Sequence, residues 1–266
     1  MTPVEVTQGR SPIVLGLPHT GTHVPEDVAR DLNDNGRALA DTDWHIDRLY
    51  DGLLPDATTV RATFHRYVID ANRDPSGTSL YPGQNTTTLV PLTDFDGAGI
   101  WDTPPGEAAI TRRRDLFHAP YHAALQAELD RVKALHGVAI LYDCHSIRSE
   151  IPYLFDGTLP DFNIGTNQGT TCAPEMEAIV ADVCRAAKGY STVVNARFKG
   201  GWTTRHYGQP NAGIHAIQME LAQATYLTAE TPPWIYGDIK AKQLRRYLAH
   251  VLSALVLIAP TLRGSR

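Results

Sequence analysis

Short apolar runs, each too brief for a helix and each followed at once by polar residues, recur along this chain. Ile13–Leu17, Tyr67–Ile69, Val138–Tyr142, Thr192–Val194 and Ala216–Met219 are the clearest. Runs of three to five apolar residues read as buried strands. Between some of them lie amphipathic stretches at helical period: His118–Leu135, with Tyr121, Leu125, Leu129 and Val132 on one face, then Glu175–Ala187 and Lys240–Ile258. Strands alternating with helices predict an α/β fold, a mostly parallel or mixed central sheet with helices on both faces. With 266 residues and no repeat or linker, the whole of 1–266 is expected to form one domain. Ser76–Pro105 is rich in Gly, Pro, Thr and Asp and has no period. It is expected to be a long loop region, and loops of that length are usually functional, as lids for example.

Composition excludes several classes. A formal charge of −5 leaves no electrostatic footprint for nucleic acid. The one basic block, Arg112-Arg113-Arg114, is expected on a helix surface. No apolar run approaches the ~20 residues that span a bilayer. The start, Met1-Thr2-Pro3-Val4-Glu5, has neither the basic nor the apolar part of a signal peptide. Cys144, Cys172 and Cys184 are too few and too scattered for a disulfide framework, so a cytoplasmic location is expected.

The polar residues after the runs carry chemistry. Ile13–Leu17 leads into Pro18-His19, Tyr67–Ile69 into Asp70-Ala71-Asn72-Arg73, Val138–Tyr142 into Asp143-Cys144-His145-Ser146, and Ala216–Met219 into Glu220. In open α/β sheets, ligands bind beyond the carboxyl ends of the strands. Two imidazoles and carboxylates converging there suit a catalytic zinc, which takes three protein ligands and keeps one position open. His19 and His145 are the candidate imidazole ligands, and Glu220 the candidate proton shuttle. Taken singly, each histidine is more often a hydrogen-bonded loop residue and Glu220 an ordinary surface carboxylate; the joint pattern carries the reading. Cys144, on the opposite face from Asp143 and His145, is read as a small buried hydrophobe. No Gly-x-Ser-x-Gly elbow supports a serine hydrolase.

Six segments together resemble one family. Pro18-His19-Thr20-Gly21, Asp41-Thr42-Asp43-Trp44-His45, Asp70-Ala71-Asn72-Arg73, Asp143 through Ser149, Arg197-Phe198-Lys199-Gly200-Gly201 and His215 through Leu221 are similar, in that order, to N-formylglutamate amidohydrolases. The likeness runs from about Gln8 to about Tyr226. It implies a zinc-carboxypeptidase-like fold and hydrolysis of N-formyl-L-glutamate to formate and glutamate, the last step of one histidine-degradation route. The wider group includes aspartoacylase and succinylglutamate desuccinylase, whose site His19, Asn72-Arg73, Asp143-x-His145 and Glu220 match. That group has a carboxylate ligand three residues after its first His, where this chain has Thr22. Asp43 is the preferred third ligand, with Glu26, His45 and Asp47 as alternatives. A substrate with two carboxylates needs two cationic anchors. Arg73 is expected to be one and Arg148, Lys199 or Arg205 the other. Hydrolysis of another acyl amino acid, or dicarboxylate binding without catalysis, are the rival readings.

Overall fold

The computed structural model describes residues 2–80, 83 and 85–263. Seven strands, β1 (Val4–Thr7), β2 (Ile13–Leu17), β3 (Thr58–Ala62), β4 (Ala139–Ile147), β5 (Phe162–Gly165), β6 (Thr192–Val194) and β7 (Ile214–Ala222), form one sheet ordered β1-β3-β2-β4-β7-β5-β6. Neighbours from β3 through β2 and β4 to β7 are parallel. β1 joins β3, and β5 joins β7, antiparallel, so the sheet is mixed. The helices are α1 (Glu26–Asp31), α2 (Asp34–Arg37), α3 (Ile46–Tyr50), α4 (Glu107–Arg113), α5 (Ala119–His136), α6 (Pro174–Arg185), α7 (Trp202–Tyr207) and α8 (Asp238–Ile258).

Each inner strand is buried on both faces because helices cover both. Ile13, Leu15, Ile140, Tyr142, Ile217 and Met219 pack toward α6 and α8, through Met176, Val180, Leu244, Leu248 and Val251. Val14, Leu141 and Ala216 pack on the other face against Tyr121, Leu125, Leu129 and Val132 of α5, all with no exposed surface. Each such buried side chain contributes ~1.5–3 kcal/mol of transfer free energy. Gly137 ends α5 in the left-handed region, φ 75°, its N–H donated to Lys133 O.

The apolar run Tyr67–Ile69 is not a strand. It is a fully buried turn beyond β3, where the backbone N–H of Tyr67 is taken by His65 Nδ1 at 3.1 Å. The strand preceding it, Thr58–Ala62, alternates buried and half-buried residues, so its polar positions break the run. Arg113 is buried in the fold, its guanidinium 5.1 Å over Trp101, rather than displayed on a helix surface. Between Ser76 and Pro105 no helix or strand occurs among the described residues; Tyr81, Pro82 and Gln84 lie outside them. No helix among the described residues is long and apolar enough to cross a membrane.

Candidate active site

Alternation along β4 and β7 builds the site. Asp143 and His145 share the face of Ala139 and Leu141, and Gln218 and Glu220 share the face of Ala216. The parallel register sets His145 beside Glu220 and Asp143 beside Gln218. These polar residues therefore lie within the strands, not after them, and are buried by α7, which packs over β4 and β7. His19 follows β2 and receives the backbone N–H of Asp43 on its carbonyl at 3.1 Å, which draws the Asp41–His45 turn to the same strand ends.

Three side-chain atoms converge there. His19 Nδ1 and His145 Nδ1 are 3.2 Å apart, His145 Nδ1 is 3.3 Å from Asp43 Oδ2, and His19 Nδ1 is 3.7 Å from the same oxygen. The opposite ring nitrogens are engaged: His19 Nε2 lies 2.7 Å from Asp70 Oδ1 and His145 Nε2 3.1 Å from Asp143 Oδ1. Carboxylates only accept, so each Nε2–H donates outward to Asp70 or Asp143, and in the neutral rings the Nδ1 lone pairs face each other. Bare lone pairs at that distance repel, and a cation between them removes the conflict. Donors bound at about 2.0–2.1 Å with tetrahedral angles sit about 3.3 Å apart, so the observed spacings fit a zinc ion. His19, Asp43 and His145 form the one such group of His, Cys, Asp and Glu among the described residues. Glu26 is exposed, His45 turns its Nε2 to Trp234 O at 2.8 Å, and Asp47 lies 3.7 Å from Arg61.

Partners orient each of these three side chains in turn. Arg66 Nη2 donates to Asp43 Oδ1 at 3.1 Å, and the Ser146 backbone N–H to Asp43 Oδ2 at 3.1 Å. Burial alone raises Asp43, but the Arg66 charge and hydrogen bonds from His145 and His19 overcome it and hold the carboxyl below its usual range. Burial opposes a charged His145, yet Asp143 and Asp43 outweigh it and push its pKa well up, so a proton on Nδ1 competes with a metal ion for the same point. Gly16 leaves room for Asp143: a Cβ there meets Asp143 Oδ1 at 3.3 Å. Thr204 Oγ1 donates to Asp143 Oδ2 at 3.0 Å.

Glu220 lines the cavity beside His19 and His145. Gln218 Oε1 accepts the Gly201 N–H at 2.7 Å, so the Gln218 Nε2 is turned to donate to Glu220 Oε2 at 2.9 Å. Burial raises Glu220 to about 7; His145 offsets this and Asp43 adds to it.

The cationic residues divide. Arg66, Arg73 and Arg197 line the cavity, whereas Arg148, Lys199 and Arg205 do not. Arg148 pairs with Asp96 at 2.7 Å, Arg205 Nε donates to Gly200 O at 2.8 Å, and the Lys199 carbonyl accepts from Asn167 N–H at 2.6 Å. Arg73 donates from Nε and Nη2 to Thr87 O and Oγ1, at 2.9 and 2.7 Å, so it also fixes the Asn85–Thr87 wall supplied by the long loop. Asn72 reaches the site through Nδ2, 3.3 Å from His145 Nε2. Arg66, Arg197, Asp70 and Gln218 received no role from sequence reasoning. Arg66 had a signal, a charge set directly before the apolar run Tyr67–Ile69.

The N-formylglutamate amidohydrolase family profile matches residues 11–227. An N-formylglutamate deformylase of Pseudomonas aeruginosa is 46% identical over 252 residues, 94% of each chain. One of Pseudomonas putida is 45% identical over 252 residues, again 94% of each. A crystal structure of an N-formylglutamate amidohydrolase from Ralstonia eutropha superposes with a TM-score of 0.79, 26% identity and 99% coverage of both chains.

Proposed function

The chain belongs to the N-formylglutamate amidohydrolase family, and from that membership we propose that it hydrolyses N-formyl-L-glutamate to formate and L-glutamate with zinc held by His19, Asp43 and His145. The observation that carries the metal is the convergence of two Nδ1 atoms and one carboxylate oxygen, each side chain oriented by a further buried partner. A bound zinc ion supplies a Lewis acid for the formyl carbonyl and acidifies water.

The remaining steps fall to the side chains. Glu220, raised to about 7, takes the proton of the attacking water and returns it to the leaving amine nitrogen. Gln218 keeps the Glu220 carboxylate in one orientation through its fixed amide. Arg66 holds Asp43, and its buried Nε–H has no acceptor among the described residues. Arg66 lines the cavity wall, and its guanidinium charge stabilises the negative charge that develops on the formyl oxygen. Arg73 and Arg197, both in the cavity wall, bind the two carboxylates of the substrate, with Arg197 in the role considered above for Arg148, Lys199 or Arg205. Asn72 lines the cavity, and its Nδ2, beside His145, is a donor for a substrate oxygen. The reaction is read as the last step of a histidine-degradation route.

A panel of N-formyl, N-acetyl and N-succinyl derivatives of glutamate and aspartate tests the reading. N-formyl-L-glutamate is expected to give the highest kcat/KM; a higher value for an acetyl or succinyl compound overturns the substrate assignment.

A further inference from the structure

Two buried histidines take no part in the chemistry above and both reach the segment that carries Asn72 and Arg73. A π-helical turn, Arg114–His118, runs directly into α5. His118 and His122, four residues apart, share one face of the helix there. His122 Nε2 lies 2.7 Å from the Ala71 carbonyl oxygen and His118 Nε2 3.0 Å from that of Arg73. Carbonyl oxygens only accept, so both rings donate from Nε2. Burial, with His118 adjacent, pushes His122 down to about 3, so its Nδ1 is left to accept from the Tyr207 hydroxyl at 3.0 Å.

The held carbonyls bracket Asn72. The peptide joining Ala71 to Asn72 is pinned at both ends, its carbonyl by His122 and its N–H by Asp70 Oδ1 at 2.8 Å. That same Asp70 oxygen orients His19. The Asn72 side chain is then fixed by the Thr203 N–H on Oδ1 at 2.9 Å. With both carbonyls drawn toward α5, the side chains of Asn72 and Arg73 are presented to the cavity.

We propose that His118 and His122 are positioning residues for substrate binding, an imidazole clamp that sets the backbone of Ala71–Arg73 and through it the aim of Asn72 and Arg73. The inference rests on the proposed hydrolysis of N-formylglutamate. A ligand or anchor held by such a partner loses about 10–100-fold when the partner is removed.

The test compares amides of two lengths at each position, with KM and kcat measured for N-formyl-L-glutamate on folded protein. Gln places its amide nitrogen near the Nε2 position and reaches the carbonyl, whereas Asn reaches only to Nδ1. His122→Asn and His118→Asn are expected to raise KM about tenfold or more, with kcat within about threefold of wild type. His122→Gln and His118→Gln are expected to recover KM to within about threefold. Unchanged KM in the folded Asn variants, or equal impairment of the Gln and Asn variants, overturns the clamp. Wild-type protein in the same assay separates the two readings: no turnover of N-formylglutamate by wild type refutes the proposed substrate, not the clamp.

Discussion

Glu220→Gln separates catalysis from stability, because the native fold strains this carboxyl. Its pKa rises from 4.5 in an ordinary glutamate to about 7, with burial the main cause. At ~1.4 kcal/mol per tenfold change in proton affinity, that gap is worth about 3 kcal/mol. The folded state therefore binds the proton more tightly than the unfolded state. Stability is present in full below pH ~4.5, falls as pH rises toward ~7, and stays low above it. Gln cannot ionise, keeps the shape of the side chain and can still accept the Gln218 N–H. In metal-free protein, urea unfolding should show Glu220→Gln more stable than wild type at pH 8, by up to about 3 kcal/mol. The advantage should shrink toward zero near pH 4.5. In the same variant, loaded with zinc, kcat should fall ~10²–10⁴-fold, the share of a general acid–base group. A variant that is less stable than wild type at pH 8, or one with near-normal kcat, refutes the reasoning.

The other expectations concern the groups around it. Arg73→Ala should cost ~2–5 kcal/mol in kcat/KM with N-formylglutamate and less with N-formylglutamine, measured by formate release; equal losses on both remove Arg73 from the side-chain carboxylate. Arg197→Ala should show a comparable loss, while Arg148→Ala, whose partner is the half-exposed Asp96, should change kcat/KM less than about threefold. Asp70→Asn, which leaves His19 Nε2 without its carboxylate, should weaken metal affinity about 10–100-fold in a chelator competition.

Much of the sheet is legible because parallel inner strands, buried on both faces, are near-continuous apolar runs. Ile13–Leu17 appears in full, but β4 and β7 continue past their apolar starts into Asp143–Ile147 and Glu220–Ala222. Those polar residues are buried because they face one another and the site, which composition alone does not reveal. Tyr67–Ile69 misleads in the other direction: apolarity reports burial, and here a turn is buried. At the site, the proximity of His19, His145 and Glu220 follows from three adjacent strands. The choice of Asp43 over Glu26, His45 or Asp47 depends on one backbone hydrogen bond, Asp43 N–H to His19 O, and on where α3 begins. Arg148, Lys199 and Arg205 have the charge the substrate needs, but direction, not residue type, decides which cations reach the cavity, and Arg66 and Arg197 do.

The zinc content of protein purified without chelator tests the central claim most directly. Wild type and Glu220→Gln should each carry about one zinc ion per chain. His19→Ala, His145→Ala and Asp43→Ala should carry far less while keeping the circular dichroism of the folded chain, and should lose turnover of N-formylglutamate. Full zinc occupancy in both histidine variants, or undiminished turnover by wild type stripped of metal, contradicts the account.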